Sequence, residues 1–300
     1  MSVSSIRIIK RKPYQSSKIF GSTGQYEVIS GILEYAVDPH NIANESIVDL
    51  KLAPVDHNGL VRFESDFSLL VPHQPDLGNK GIIVDVVNRG RRMAVSNFNW
   101  TDMPTEDEIE IPEGDGFLFK QGFSVLSIGW QWDVYRSESL LGLTAPTAQI
   151  DGNSISGQVL VEIRTHVTEQ TRVLSDRNHR PYPAENVNER DAVLSMREWE
   201  DGPATIIPRE DWSFSKLTDT GLIPSADHIY MDNGFQPGLI YQVIYTTNSC
   251  PVVGTGLLAV RDAASWIRTP STDNPIGGGF QRVYGYGISQ TRPETLWGQT

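Results

Sequence analysis

Hydrophobic and polar residues follow a strand-like pattern over the first quarter of the chain. Residues 26–37, 47–52 and 60–71 are rich in branched and aromatic side chains, and each stretch alternates or is mostly apolar. Turn-forming sequences of Asp, Asn, Pro and Gly separate these stretches. Spacing of this kind predicts an antiparallel meander, so we assign residues 1–75 to an N-terminal β region.

Beyond this region the pattern becomes that of a sheet buried on both faces. Residues 82–87 and 123–129 are short and almost continuously apolar, which is typical of parallel strands covered by helices, and residues 282–288 predict a further strand. Residues 253–268 repeat apolar side chains along one helical face, and residues 115–121 predict a shorter helix. These elements indicate an α/β core.

A more polar segment divides that core in two. Residues 136–230 contain short strand candidates between turn-rich loops, and we predict a β-rich insertion there. A strand predicted at residues 239–245 is assigned to the core. The predicted core therefore consists of residues 76–135 and 231–300.

Composition narrows the possible partners. The 300 residues are 39% hydrophobic and 21% charged, with a formal net charge of −12, which argues against nucleic acid or an anionic membrane as partner. No apolar run approaches the ~20 residues that span a bilayer, and the first residues show no secretory signal. The single cysteine, Cys250, excludes an internal disulfide, and we find no metal-ligand spacing. We expect a cytoplasmic protein without a cofactor.

A serine that follows the last predicted strand is a candidate nucleophile. Gly287-x-Ser289-x-Thr291 loosely matches a nucleophile elbow, in which small residues two before and two after the serine permit a sharp turn after a strand. Gly287 meets that demand, whereas the β-branched Thr291 meets it poorly. Because such strings are common in loops, the motif alone is weak.

Two further polar or aromatic segments follow apolar runs and could line a ligand site. Asn88-Arg89-Gly90 stands where open α/β sheets bind ligands, although a plain turn with solvated basic side chains explains the same residues and is favoured by composition alone. Trp130 and Trp132 follow the next apolar run, where they either line a pocket or pack against the core.

An ordered set of short motifs resembles a known family. The set consists of Phe20-Gly21, Tyr26-Glu27, Asp38-Pro39, Ile47-Val48-Asp49-Leu50, Ala53-Pro54, Val87-Asn88-Arg89-Gly90, Gly114-Asp115-Gly116-Phe117-Leu118, Gly129-Trp130-Gln131, Gly234-Phe235-Gln236-Pro237-Gly238, Val260-Arg261-Asp262 and Gly287-x-Ser289-Gln290. Together these motifs resemble a family of α/β-hydrolase domain proteins of the serine-esterase type, over about residues 20–290.

The resemblance implies a fold and a set of roles. The expected fold is α/β: a partial α/β-hydrolase sheet with an N-terminal antiparallel β region and a β-rich insertion. Ser289 would be the nucleophile, and the N–H of Gln290 with one from Arg89-Gly90 would hold the oxyanion. Asn88, Trp130 and Trp132 would contact a small ester or acyl substrate.

The residues after Ser289 depart from the family pattern. In that fold the acid and the histidine of the catalytic triad follow the serine, but no histidine follows Ser289 before the chain ends at Thr300. Pro293 falls where a long helix should begin, and Glu294 is too near in sequence to act as the remote acid. We therefore expect a C-terminally truncated hydrolase.

Three functional hypotheses remain at this point. The chain is a serine ester or acyl hydrolase, intact or truncated; or it is a non-catalytic member that binds a small acyl or aromatic ligand; or it is a β-rich binding or structural module in which Ser289 has no role. Truncation would also expose the strand at residues 282–288 as a sheet edge, from which we expect self-association.

Overall fold

The computed structural model describes residues 2–175, 179–270, 276 and 278–291. The chain divides into two compact units. The first unit combines residues 1–147 with 251–300, and the second consists of residues 148–250. Pro293 and Glu294 lie outside the described residues.

Strands dominate the described part of both units. The strands are β1 (Val3–Pro13), β2 (Tyr26–Val37), β3 (Val61–Pro72), β4 (Gly81–Val86), β5 (Ser124–Ile128), β6 (Leu143–Thr144), β7 (Gln149–Ile150), β8 (Asn153–Ser154), β9 (Gly157–Ile163), β10 (Glu169–Val173), β11 (Val193–Arg197), β12 (Thr205–Ile207), β13 (Trp212–Ser213), β14 (Ser215–Thr218), β15 (Gly221–Pro224), β16 (His228–Phe235), β17 (Ile240–Thr247) and β18 (Arg282–Tyr286). The α-helices of the described residues are α1 (Ala94–Phe98), α2 (Phe117–Lys120) and α3 (Thr255–Arg268).

One mixed sheet of seven strands forms the first unit. Its order is β1-β2-β3-β5-β4-β18, and β6 also pairs with β3. The β1–β2, β2–β3 and β3–β5 pairs are antiparallel, whereas β4 lies parallel to both β5 and β18. Every residue of β4 and β5 is buried, as their apolar runs predict, while β1 and β18 at the two ends of the order are largely exposed.

The described residues of the second unit form four small sheets. Their orders are β12-β11-β17-β9, β10-β16-β13, β14-β15 and β7-β8. A core of buried side chains fills the unit, with Leu194, Phe214, Phe235, Val243 and Tyr245 among its most enclosed members. This unit therefore has a hydrophobic core built from its own strands.

The predicted fold class is wrong. The chain is β-rich with several separate small sheets, and its described residues contain three α-helices, of which α1 has five residues and α2 has four. A partial α/β-hydrolase sheet would need helices covering its parallel strands. The error arose because short apolar runs were taken to indicate a sheet covered by regular helices, whereas two very short helices, α3 and neighbouring strands bury β4 and β5.

The unit boundaries also differ from the predicted ones. Residues 136–147 belong to the first unit, where β6 pairs with β3, and the insertion runs from residue 148 to 250 instead of 136–230. The strand predicted at residues 239–245 is β17, and it pairs with β9 and β11 in the second unit. An alternating apolar pattern predicts a strand but does not show which strands it pairs with, so the partners of β17 could not be identified from the sequence.

Two local predictions in the first unit have opposite outcomes. Residues 47–52 form turns and a short 3-10 segment instead of a strand, because Asp49 has a left-handed backbone with φ of 61°. The helix predicted at residues 115–121 is confirmed as α2, and Gly122 follows it with φ of 78°, the conformation expected of a residue that ends a helix.

The helix predicted at residues 253–268 is confirmed as α3, and its apolar face contacts β1, β4 and β18. Within the residues that the structure describes, no helix is both long and apolar enough to cross a membrane.

Candidate functional site

Parallel pairing of β4 and β18 brings the candidate loop and the candidate serine to one edge of the sheet. Tyr286, the last residue of β18, lies opposite Asp85 of β4. The next residues of both strands therefore leave the sheet side by side, and the side-chain Nδ2 of Asn88 donates a hydrogen bond of 2.9 Å to the carbonyl of Ile288. The segment that begins at Asn88 and the turn that carries Ser289 are thus in direct contact.

Ser289 stands at the tip of a tight turn. Its φ of 57° lies in the left-handed region, which non-glycine residues adopt rarely and at an energetic cost. An added Cβ at Gly287 would lie 1.6 Å from the carbonyl oxygen of Thr291, so the chain closes on itself across the serine only because residue 287 is glycine. The exposed serine is therefore held by backbone packing on both sides.

Thr291 suits this turn better than its β-branched side chain suggested. Its hydroxyl accepts a hydrogen bond from the N–H of Ile288 at 2.9 Å and donates to the carbonyl of the same residue at 3.1 Å. Thr291 is fully buried, and its own N–H also bonds to the Ile288 carbonyl. A threonine two residues after the serine therefore closes the turn instead of straining it.

The loop after β4 is a second tight turn. Arg89 and Gly90 both have positive φ, at 50° and 84°, and the N–H and carbonyl of Asn88 pair with those of Arg91. The N–H of Arg89 donates to the side chain of Gln131 at 3.0 Å, so this donor is already used. The N–H of Gly90 forms no hydrogen bond with another described residue, so this donor could bind a ligand.

The structure shows a packing role for Trp130, whereas the role of Trp132 stays a prediction. The indole Nε1 of Trp130 donates a hydrogen bond of 2.8 Å to the carbonyl of Val87, so its ring braces the end of β4. Trp132 is half-buried. Packing, the alternative considered from sequence, therefore describes Trp130, while the contribution of Trp132 to a ligand site stays a prediction.

A buried carboxylate beneath the site was missed in the sequence. Asp85 is 1% exposed, and its Oδ2 accepts hydrogen bonds from the Ser127 hydroxyl at 2.9 Å and from the N–H of Met93 at 3.0 Å, which precedes α1. Burial raises the pKa of Asp85 to about 6, because desolvation outweighs these hydrogen bonds. The available signal was an aspartate inside the otherwise apolar run of residues 82–87.

In the part of the chain that the structure describes, no general base is bonded to the candidate serine. Among the described residues, the Ser289 hydroxyl has no hydrogen-bond partner and no histidine bonds to it. The His73 ring faces Glu27 at 3.9 Å, and Nδ1 of His228 lies 3.0 Å from the Ser225 hydroxyl. The described part of the chain also holds no cluster of His, Cys, Asp and Glu side chains that suits a metal ion.

Comparisons of the chain with family models, with curated proteins and with solved structures find no match. The resemblance to serine esterases therefore stays a prediction.

Proposed function

We propose that Ser289 is the acyl-accepting nucleophile of a serine-type hydrolase that acts on small carboxylic esters or acyl compounds. The observation that carries this proposal is the left-handed backbone of an exposed serine at the tip of a turn after a parallel strand. Strained backbone of this kind concentrates at functional sites. A nucleophile elbow uses the same arrangement to project a serine hydroxyl away from the sheet.

The oxyanion would be held by backbone donors from both turns. We assign the N–H of Gln290, which follows the nucleophile, and the N–H of Gly90 to this task. Arg89 contributes through its positive φ, which shapes the turn, because its own N–H already bonds to Gln131. The hydrogen bond from Asn88 to Ile288 supports this assignment, since it keeps the two turns together.

The proposed reaction has two steps. The Ser289 oxygen attacks the carbonyl carbon of the ester, the alcohol leaves, and the serine carries the acyl group. Water then attacks the acyl-enzyme, which releases the carboxylic acid and restores the hydroxyl. Because no histidine bonds to Ser289 within the described residues, the serine proton passes to solvent in this scheme, and we expect slow turnover.

A second candidate function follows because no base is bonded to Ser289 within the described residues. A serine without a base is a poor nucleophile at neutral pH, so the site would then bind a small acyl or aromatic compound without cleaving it. Asn88 and Trp132 would contribute to such a site, and both candidate functions share the same ligand chemistry.

Covalent labelling distinguishes the two candidates. We expect a fluorophosphonate probe to modify the full chain at Ser289, with Ser289→Ala unlabelled and Ser154→Ala, an exposed serine of β8, labelled like the wild type. Hydrolysis of 4-nitrophenyl acetate should be slow and should fall to the buffer rate in Ser289→Ala only. Saturable binding of the ester without labelling or turnover would favour the non-catalytic candidate, and neither binding nor labelling would overturn both.

A further inference from the structure

A cavity of about 220 Å³ lies in the first unit and includes none of the candidate site residues. Its walls come from β1, β2 and β3 together with loop residues between 92 and 141. Val28, Phe67 and Leu141 supply a buried apolar wall, and Lys10, Lys12 and Arg92 supply positive charge. A cavity that joins an apolar wall to cationic groups suits a ligand with an apolar body and an anionic end.

Arg92 is the most unusual of these lining residues. Its side chain is buried, with the residue 8% exposed, and no carboxylate lies within ion-pair distance of it in the described part of the chain. Its Nη2 donates hydrogen bonds to the carbonyls of Glu108 at 3.3 Å and Ile109 at 2.8 Å. The N–H groups of Nε and Nη1 have no partner among the described residues, although a guanidinium has five such donors.

A buried cation without an ion pair is costly, because burial removes its hydration without supplying an opposite charge. Burial accordingly lowers the pKa of Arg92, although Asp85, Glu108 and Glu110 act in the opposite direction from beyond ion-pair distance. An anion in the cavity would accept hydrogen bonds from the unpartnered N–H groups and would offset this cost.

The other charges of the cavity are already paired. Asp66 binds the Arg136 guanidinium, Lys10 pairs with Glu138 at 3.2 Å, and Lys12 pairs with Glu110 at 2.6 Å. Arg92 therefore leaves one unbalanced positive charge. A ligand with a single negative charge matches that balance better than a dianion such as a phosphate monoester.

We propose that this cavity binds a small organic carboxylate, with its charged end against Arg92 and its apolar body against Val28, Phe67 and Leu141. The volume is below the usual range for drug-sized ligands and corresponds to roughly seven molecules of liquid water, which suits an acid of about six carbon atoms. Binding there is separate from the chemistry proposed for Ser289.

Thermal unfolding of the full chain with three probes tests this proposal. Hexanoate should raise the melting temperature in a saturable way, as expected of a ligand that binds only the folded state. 1-Hexanol, which lacks the charge, and inorganic phosphate, which lacks the apolar body, should bind at least tenfold more weakly. Ser289→Ala should bind hexanoate like the wild type, which keeps this result independent of the proposed hydrolase function.

A pair of lysine variants supplies a matched comparison. Lys12→Gln removes a positive charge from the cavity lining and leaves its partner Glu110 unpaired, so it should weaken hexanoate binding at least threefold. Lys18→Gln removes a similar ion pair, 2.5 Å from Glu113, outside the cavity, and should change nothing. Arg92→Gln should abolish hexanoate binding. If that variant does not fold, the comparison of Lys12→Gln with Lys18→Gln tests the proposal. Absence of saturable stabilisation, equal binding of phosphate, or equal effects of the two lysine variants would overturn the proposal.

Discussion

The side-chain amide of Asn88 donates a hydrogen bond to the backbone carbonyl of Ile288, a residue 200 positions later in the chain. This bond joins the turn after β4 to the turn after β18, beyond the last paired residues of both strands. The position of Ser289 relative to Gly90 therefore depends on a contact that the sheet itself does not provide.

Asn88→Ala should slow fluorophosphonate labelling of Ser289 severalfold and lower the free energy of unfolding by about 1 kcal/mol, the usual loss for one hydrogen bond. Asn79→Ala is the control, since Asn79 donates a comparable bond to the Gln121 carbonyl at the other end of β4. Labelling rates by mass spectrometry and urea unfolding measure the two effects. Equal labelling of both variants would show that the bond does not position the serine.

Gly287→Ala should disrupt the serine turn. Its new methyl group would overlap the Thr291 carbonyl, so we expect a loss of about 1–3 kcal/mol and labelling of Ser289 reduced at least tenfold. Gly157→Ala, where no atom lies within 4 Å of the added Cβ, should leave both quantities unchanged. Wild-type labelling in Gly287→Ala would contradict a role for the tight turn.

Asp85 should make stability depend on pH in an identifiable direction. Its pKa rises from 3.8 to about 6 on folding, so the folded state binds the proton more tightly. Well below pH 3.8 the carboxyl is protonated in both states and does not lower the free energy of unfolding. As the pH rises, Asp85 ionises more readily in the unfolded chain than in the folded one. The free energy of unfolding therefore falls, and the total loss reaches about 3 kcal/mol above pH 6.

Comparison with Asp85→Asn isolates this effect from other titrating groups. The free energy of unfolding of the wild type relative to the variant should fall by about 2 kcal/mol between pH 4 and pH 7, as measured by urea unfolding. A difference that stays constant across this range would show that Asp85 has an ordinary pKa.

The second unit should fold by itself. Residues 148–250 have their own core, and the Tyr245 hydroxyl ties β17 to the carbonyl of Tyr182 at 2.6 Å. The isolated segment should unfold cooperatively in urea, whereas Phe235→Ala, which removes a fully buried ring, should lose about 3–5 kcal/mol and unfold it. A broad, non-cooperative transition in the unmutated segment would contradict its independence.

Self-association through β18 remains a proposal with a direct test. In the described part of the chain, β18 has a strand neighbour on one side only, and Tyr284 on it is 47% exposed. We expect concentration-dependent dimers by light scattering, abolished by Tyr284→Lys because edge lysines oppose strand pairing. Ile42→Lys, at an exposed site in a 3-10 segment, should not change the dimer. A monomer at every concentration would exclude this route.

Local sequence was sufficient to identify the elements that carry the candidate site. β4, β5 and α3 stand at the predicted positions, because a continuous apolar run or a helical repeat reflects burial within a single segment. The parallel orientation of β4 and β18 agrees with their assignment to one α/β core, although β18 is largely exposed.

Long-range relationships could not be predicted in the same way. The partners of β17, the use of the Arg89 N–H by Gln131, and the burial of Arg92 against the carbonyls of a loop each depend on which distant segments meet. Arg92 in particular closely follows a loop for which a turn with solvated basic side chains was favoured by composition, and its position beside Arg91 does not reveal that it lines a cavity.

The chain enters the second unit after Thr147 and leaves it after Cys250, and the closeness of these two points favours a particular order of folding. Thr147 forms a β-bridge with Pro251, and the N–H of Ala148 bonds to the carbonyl of Cys250 at 2.9 Å, so the ends of the inserted segment are adjacent. Closing a disordered loop of about 100 residues costs about 3 kcal/mol more than closing a four-residue turn. If the inserted unit folds first, its two ends are already adjacent. The effective loop between β6 and α3 is then short, and the entropic cost of pairing β18 with β4 is lower.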